Sequence, residues 1–243
     1  MSQTSDTFLG GRIKLIQPSE GYRAGIDPIF LSAALQLDPH DTVLDVGVGV
    51  GVAAFALAVR CPQVKITGVE IQSDLVTLAL QNIQANNFEN CVDIIEGDIF
   101  ASLPSLKSQS FDHVMTNPPY YEQSRSQVSP IPGKAQANTE TVDLEQWLKC
   151  CLNMLKPKGT FTMIHRAERL PEILTHLDAH LGNIVVCPLW AGPNKPAKRV
   201  IVQGRKNTGT EWRLVSGITL HGGAEKYTPE AEAILRHAQP LVF

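Results

Sequence analysis

Long apolar runs are missing from this sequence. No stretch approaches the ~20 consecutive apolar residues that a membrane-spanning helix needs, so we expect no membrane span. Residues 1–6 also lack the basic and apolar regions of a signal peptide. Together these absences predict a cytoplasmic protein.

Metal-binding patterns are missing as well. The five cysteines are odd in number, and no two of them have the C-x-x-C spacing of a zinc or redox site. The seven histidines form no H-x-x-H or H-E-x-x-H cluster. We therefore expect reduced thiols in the core and no bound metal. His165, which ends a predicted strand, is expected to have a packing or capping role.

An excess of basic charge is the third absence. The chain has 21 Lys and Arg residues against 24 Asp and Glu residues, a formal net charge of −3. Proteins that bind nucleic acids usually carry an overall basic footprint, so the composition counts mildly against such a partner. The composition does not exclude a nucleic-acid partner that binds a local basic patch.

Strand and helix patterns alternate along most of the chain. The strand-like runs are residues 43–46, 65–70, 92–95, 111–115, 160–165, 184–189 and 199–203, and the helix-like stretches are 52–59, 74–85, 144–155 and 168–180. Ser73 is expected to be the N-cap of the second of these helices. The alternation predicts an α/β fold, with a mostly parallel sheet and helices on both faces. Residues 190–196 are too few for a crossover helix, so the last two strands should form an antiparallel hairpin.

A glycine-rich turn follows the first strand of this pattern. The turn has the form D-x-G-x-G-x-G, with Asp45, Gly47, Gly49 and Gly51, and it runs into a predicted helix. Glycines let the backbone approach a ligand closely, and the helix directs its N–H groups at that ligand. The dinucleotide fingerprint G-x-G-x-x-G/A fails, because Val52 stands where its third glycine or alanine is needed. A carboxylate at Asp45 instead suits an ammonium group, as in the methionine part of S-adenosylmethionine.

Two more acidic residues follow predicted strands. Glu70 ends the second strand, 19 residues beyond Gly51, where an acidic side chain can accept both ribose hydroxyls. Asp98 follows the third strand and is a candidate for the adenine amino group. The three carboxylates therefore predict a nucleotide-type cofactor site.

The run Asn117-Pro118-Pro119-Tyr120 directly follows the fourth strand. The amide oxygen of Asn117 and the backbone carbonyl of Pro118 offer two acceptors for the N–H groups of a planar amine, and prolines add no competing backbone donors. Tyr120 offers a flat face for stacking a base. Methyl transfer from S-adenosylmethionine to such an amine needs positioning more than a general base or a metal. The long loop 121–142 that follows is expected to grip the substrate.

At this point the chain resembles the class I methyltransferases that carry Asn-Pro-Pro-Tyr. Within them it is most similar to the bacterial family that methylates the exocyclic amine of adenine 37 in valine tRNA. The likeness includes the leading segments at residues 10–12, 17–18 and 21–27, and the later segments at 197–200, 204–206, 220–221 and 227–228. It implies a seven-stranded Rossmann-like sheet, with residues 1–40 as a hairpin and helix over the cofactor cleft and 41–243 as the methyltransferase domain, in one folding unit.

The resemblance also implies roles for individual residues. Asp45, Gly47 and Glu70 would lie at S-adenosylmethionine, and Asn117 to Tyr120 at the target base. The resemblance adds further candidates for the cofactor cleft, which are Tyr22, Arg23 and Asp27. The sequence departs from the usual turn by having valines at positions 48 and 50.

An RNA substrate requires contacts to phosphates. The candidates are Arg12, Lys14, Arg23, Lys195, Lys198, Arg199, Arg205 and Lys206, and the alternative is a scattered set of solvated side chains. Three other functions stay open. They are methylation of a ribosomal RNA or DNA base, methylation of a protein glutamine, and a cofactor-binding module without catalysis. Only ~40 residues precede the first sheet strand, too few for the helical N-terminal domain of glutamine methyltransferases.

Overall fold

The computed structural model describes residues 2–20, 23–101, 103–119, 143–209, 211–222 and 225–243. Tyr22, Tyr120 and the loop 121–142 lie outside these residues. The strands are β1 Gln3–Phe8, β2 Ile13–Pro18, β3 Thr42–Val46, β4 Lys65–Glu70, β5 Val92–Glu96, β6 Phe111–Thr116, β7 Leu155–Arg166, β8 Leu181–Trp190, β9 Ala197–Lys206, β10 Trp212–Leu214 and β11 Ile218–Thr219. The helices are α1 Asp27–Ala33, α2 Val52–Arg60, α3 Ser73–Asn86, α4 Leu144–Met154, α5 Leu170–Leu177 and α6 Pro229–His237.

One large sheet organises the chain. Its strand order is β5-β4-β3-β6-β7-β9-β8-β10, and β11 also pairs with β8. All neighbours are parallel except β9, which is antiparallel to both β7 and β8. The seven predicted strands and the antiparallel hairpin are confirmed. The short strands β10 and β11 were not predicted, and they extend the sheet beyond the hairpin.

Helices cover both faces of the sheet, as predicted. Successive side chains of β3 point to opposite faces of the sheet and pack against different helices. Val43 joins the core formed with α1, α2, α3 and α6, whereas Leu44 and Val46 join the core formed with α4 and α5. Asp45 shares the face of Val43, and its carboxylate accepts a hydrogen bond from the backbone of Ala54 on α2. None of the helices within the described ranges is long and apolar enough to cross a membrane.

The N-terminal hairpin β1–β2 is attached to α3 by two asparagine side chains. Asn82 accepts from the Ile16 N–H at 2.7 Å and donates to the Ile16 carbonyl at 2.9 Å. Asn86, one turn later, does the same with Lys14 at 2.8 and 2.7 Å. The two amides therefore take the place of a neighbouring strand along β2 and satisfy its main chain.

Two local predictions differ from the structure. Gln72, not Ser73, is the N-cap of α3, and the Ser73 hydroxyl instead donates to the Glu96 carboxylate on the next strand. The predicted helix at 168–180 is shorter, since a 3₁₀ turn at Ala167–Arg169 precedes α5. Pro171 explains the late start, because proline lacks the N–H and its ring blocks the preceding helical turn.

Candidate active site

The predicted site residues meet at one edge of the sheet. β3, β4, β5 and β6 are parallel neighbours, so their carboxyl ends share this edge. Asp45, Glu70, Asp98 and Asn117 all lie at or directly after these strand ends. Ligands of open α/β sheets bind in the crevice outside such ends, which makes this edge the candidate active site.

The glycine turn is held by the end of β4 and has the backbone form that glycine permits. The N–H groups of Gly47 and Val48 donate to the Val69 carbonyl at 2.9 and 3.0 Å. Gly47, Gly49 and Gly51 have φ values of +75°, +57° and +102°. A Cβ on Gly51 would lie 2.3 Å from the Phe55 ring, so no side chain fits there.

The space in front of the turn is open at Gly49. Beyond its own chain neighbours, no described heavy atom lies within 4 Å of where a Gly49 Cβ would be. The valines at positions 48 and 50 do not fill this space, because both are buried in the core. A Cβ on Gly68 would lie 2.8 Å from each Val48 methyl, so Val48 occupies the room that the glycine leaves on β4. The departure from the usual turn sequence is therefore a packing feature.

Glu70 supports the turn from the neighbouring strand. Its Oε2 accepts a hydrogen bond from the Gly49 N–H at 3.0 Å, and its Oε1 accepts one from the Gln72 N–H at 3.0 Å. The side chain is 6% exposed. Glu70 is thus fixed at the predicted ribose position while it also holds the glycine turn.

Asp45 is the most perturbed carboxylate of the site. It is 2% exposed, and its Oδ2 has no hydrogen-bond partner among the described residues. Burial, and secondly the nearby charge of Glu70, raise the pKa of Asp45 from 3.8 to about 7. A buried carboxylate oxygen without a donor fits a cationic ligand group, because such a group would satisfy the oxygen and favour its charge.

Thr116 connects the glycine turn to the Asn-Pro-Pro segment. Its hydroxyl donates to the Val46 carbonyl at 2.9 Å, directly before Gly47, and accepts from the Trp147 indole N–H at 3.0 Å. The Trp147 ring also packs against the turn, since a Gly47 Cβ would lie 3.3 Å from it. After Thr116, Asn117 is half-buried and Pro118 is buried. The two halves of the site are therefore fixed to each other through buried groups.

Comparison with known proteins identifies the family at this point. Residues 37–210, more than half of the chain, match the family model described as "Methyltransferase domain". The chain belongs to this methyltransferase family. The sequence is similar to a protein of Porphyromonas gingivalis named tRNA1(Val) (adenine(37)-N6)-methyltransferase, with 28% identity over 236 residues, 93% of this chain and 92% of the relative. A protein of the same name from Shewanella baltica is 28% identical over 221 residues, 89% and 91% of the two chains.

Solved structures agree on the fold. A predicted O-methyltransferase from Agrobacterium tumefaciens aligns with a TM-score of 0.71 at 20% identity, over 86% of this chain and 94% of that one. An S-adenosylmethionine-dependent O-methyltransferase from Thermotoga maritima aligns with a TM-score of 0.53 at 18% identity, over 76% and 64%. The class I methyltransferase fold and the resemblance to the adenine-37 family are both confirmed.

Two exposed apolar side chains of this methyltransferase lie beside the strand-end carboxylates of the candidate site. Ile71 directly follows Glu70 and is 62% exposed, and Phe100 is 37% exposed. Asp98 Oδ1 accepts from the Phe100 N–H at 2.9 Å, and the Phe100 ring meets Trp147 edge-to-face with centroids 5.9 Å apart. Ile71 and Phe100 were missed by the sequence analysis, although a large apolar residue next to a strand-ending acid is a readable signal. They leave apolar surface exposed beside Glu70 and Asp98.

Two of the cofactor-cleft candidates form ion pairs. Arg23 contacts Asp6 of β1 at 2.8 Å and Thr4 at 2.9 Å. Asp27 pairs with Arg199 at 2.7 Å and so joins α1 to β9. Tyr22 lies outside the described residues, and the cofactor roles of Arg23 and Asp27 stay predictions.

The eight basic candidates separate into two groups. Five of them have internal partners: Arg23 and Arg199 pair with carboxylates, whereas Arg12, Arg205 and Lys206 donate to main-chain carbonyls. The side chains of Lys14, Lys195 and Lys198 are exposed.

His165 accepts a hydrogen bond from the Arg166 N–H at its Nδ1, at 2.8 Å, and is 3% exposed. Burial lowers the pKa of His165 to about 4, which suits the predicted packing role.

Asn82 is a further residue of the candidate site that the sequence analysis missed. Besides holding β2, its amide donates to the Val50 carbonyl of the glycine turn at 3.1 Å. Its side chain is fully buried, so these hydrogen bonds are made away from water. Asn82 thus fixes the N-terminal hairpin and the turn at one point.

Proposed function

We propose that this protein transfers a methyl group from S-adenosylmethionine to the exocyclic amine of adenine in RNA, at adenine 37 of valine tRNA. The names of the relatives from Porphyromonas gingivalis and Shewanella baltica, which match about nine-tenths of the chain, support this substrate. A tRNA substrate also agrees with a cytoplasmic location. The observation that carries the proposal is the Thr116 hydrogen bond, which fixes the strand end before Asn117 beside the strand end before Gly47.

The residues at the edge fit S-adenosylmethionine. Asp45 Oδ2 would accept from its ammonium group, Glu70 from the ribose hydroxyls, and Asp98 from the adenine amine. Gly47, Gly49 and Gly51 leave the backbone accessible, and residues 1–40, including Tyr22, Arg23 and Asp27, would cover the cleft. When bound, the cofactor supplies an electrophilic methyl group on a sulfonium sulfur.

The acceptor amine is prepared by the Asn-Pro-Pro-Tyr segment. The Asn117 amide oxygen and the Pro118 carbonyl accept its two N–H groups, which draws the nitrogen lone pair out of conjugation with the ring. Pro118 and Pro119 have no N–H that would compete for these acceptors. Tyr120 would stack on the base. The methylated nitrogen is strongly acidic and loses its proton to water, so the chain needs no general base, and rate depends on positioning.

The test is to incubate the protein with methyl-labelled S-adenosylmethionine and unmodified total tRNA, then to identify the labelled nucleoside by mass. We expect adenosine methylated at its exocyclic amine, found at position 37 of valine tRNA. Asn117→Ala should abolish turnover and leave cofactor binding intact, whereas the exposed Asn90→Ala serves as a control with normal activity. Normal turnover of Asn117→Ala would contradict the mechanism. Label in ribosomal RNA, in DNA or in a protein glutamine would show that this molecule, and not valine tRNA, is the substrate.

A further inference from the structure

The segment around His221 extends the active-site edge of the sheet. β11 pairs in parallel with β8, with Thr219 opposite Trp190, and the Leu220 N–H donates to the Trp190 carbonyl at 2.7 Å. β8 in turn runs parallel to β6 through the intervening strands. His221 therefore lies beyond the carboxyl end of β8, at the same edge as Asn117.

The His221 ring is held in one orientation. Its Nδ1 donates to the Lys226 carbonyl, and the ring stacks on Tyr227 with centroids 5.0 Å apart and an interplanar angle of 25°. Tyr227 packs against the core, and the neighbouring Thr228 hydroxyl donates to the Thr219 carbonyl at 2.7 Å. His221 nevertheless remains exposed. The result is a rigid, flat ring that is available to a partner.

Lysines surround this ring pair. An added Cβ on Gly192 would lie 3.3 Å from the His221 carbonyl oxygen, so the loop from β8 to β9 runs beside His221 and places Lys195 nearby. Lys198 lies at the start of β9, and Lys226 Nζ is 5.2 Å from the Tyr227 ring centroid.

The acidic side chains at this edge do not cancel that charge. Glu168 and Asp27 pair with Arg166 and Arg199, whereas the exposed Glu225 lies in the His221–Tyr227 segment and the exposed Glu230 lies at the start of α6. Lys195, Lys198 and Lys226 therefore outnumber these two carboxylates beside the stacked rings, which favours an anionic partner.

We propose that His221 and Tyr227, together with Lys195 and Lys198, bind an unstacked nucleotide of the substrate RNA at the same edge of the sheet as the target adenine. Flat rings flanked by cations are the combination that holds single-stranded nucleic acid. β11, which leads into His221, lies on the far side of β8 and is four strand spacings from β6, or ~19 Å along the edge. The inference rests on the proposed RNA substrate and adds where the RNA is held.

Steady-state kinetics of methyl transfer to valine tRNA tests the stacking. His221→Ala should raise the KM for tRNA about tenfold, with the Kd for S-adenosylmethionine unchanged, and His221→Phe should restore the KM to within about twofold of the wild type. His180→Ala is the matched control, because His180 is an exposed histidine directly before β8, at the opposite edge of the sheet.

The salt dependence of tRNA binding tests the lysines. Lys195→Ala and Lys198→Ala should each reduce the slope of log K against log salt by about 1. The exposed Lys107, which precedes β6 at the opposite edge, gives the control Lys107→Ala with an unchanged slope.

The results separate this inference from the proposed function. If the wild type methylates tRNA but His221→Ala keeps its KM, or His180→Ala raises the KM equally, the stacking site is refuted and the proposed function stands. If His221→Phe is as impaired as His221→Ala, stacking is refuted as well. If the wild type methylates no RNA, the proposed function itself fails.

Discussion

The buried carboxylate of Asp45 should make the stability of this protein fall as pH rises. Its pKa is about 7 in the folded chain against 3.8 for the ordinary side chain, because burial and the Glu70 charge disfavour ionisation. The folded state therefore holds the proton more tightly than the unfolded chain does. Below about pH 4 the Asp45 carboxyl is protonated in both the folded and the unfolded state, so it does not change the free energy of unfolding with pH. Between about pH 4 and pH 7 the free energy of unfolding falls progressively. At about 1.4 kcal/mol per unit of pKa, the full loss is on the order of 4 kcal/mol.

The substitution Asp45→Asn isolates this effect, because it keeps the shape and removes the ionisation. A buried amide adds its own cost, but that cost does not change with pH. We expect the free energy of unfolding of the wild type, relative to the variant, to fall by about 2 to 3 kcal/mol between pH 5 and pH 8. Urea denaturation followed by circular dichroism measures it, with the exposed Asp93→Asn as control. A difference that is constant over this range would refute the reasoning.

The same ionisation should appear in cofactor binding. If Asp45 accepts the ammonium group, it must lose its proton first, so affinity falls when pH drops below 7. Calorimetry should find the Kd for S-adenosylmethionine about eightfold weaker at pH 6 than at pH 7.5 in the wild type. The pH dependence should flatten in Asp45→Asn, with weaker binding at pH 7.5. An identical pH dependence in the two proteins would show that Asp45 does not bind the ammonium group.

Two further substitutions test the geometry of the site. Thr116→Val keeps the side-chain shape but leaves the Val46 carbonyl and the Trp147 indole N–H without their partner, which should lower the free energy of unfolding by about 2 kcal/mol. Because small misplacements of reacting groups are costly in catalysis, kcat should also fall at least tenfold in a methyl-transfer assay. A normal kcat would show that the Thr116 hydroxyl does not position the acceptor segment. Gly51→Ala should lower the free energy of unfolding by more than about 2 kcal/mol, because of the positive φ and the Cβ position 2.3 Å from the Phe55 ring. Denaturation measures this loss, and equal stability of the two proteins would contradict the packing.

Most of the sheet and the carboxylates of the site were predictable from the sequence. Strand periodicity located the seven main strands, and the residue types after each strand end located Asp45, Glu70 and Asn117, because parallel strands deliver their carboxyl ends to one edge. The strands β10 and β11 carry no comparable signal. They are two or three residues long and are stabilised by pairing with β8, which is a tertiary contact.

The residues that connect the glycine turn to other segments could not be predicted either, and the reason is a different one. Thr116 and Trp147 fit their strand and helix patterns without revealing that they hydrogen-bond each other across 31 residues. Asn82 is a polar residue within an amphipathic helix, where polar residues normally face water. Its burial depends on the N-terminal hairpin, and periodicity within α3 contains no information about that neighbour.

The asparagine attachment of β2 has a consequence for the order in which the chain is made. Ile16 bonds with Asn82, which is synthesised 66 residues later. At about 5 to 20 residues per second, β2 waits roughly 3 to 13 s for that partner. During this time the edge of β2 is open to water or to another strand. β2 is therefore completed only after α3 has formed, when the same Asn82 amide also donates to the Val50 carbonyl of the glycine turn.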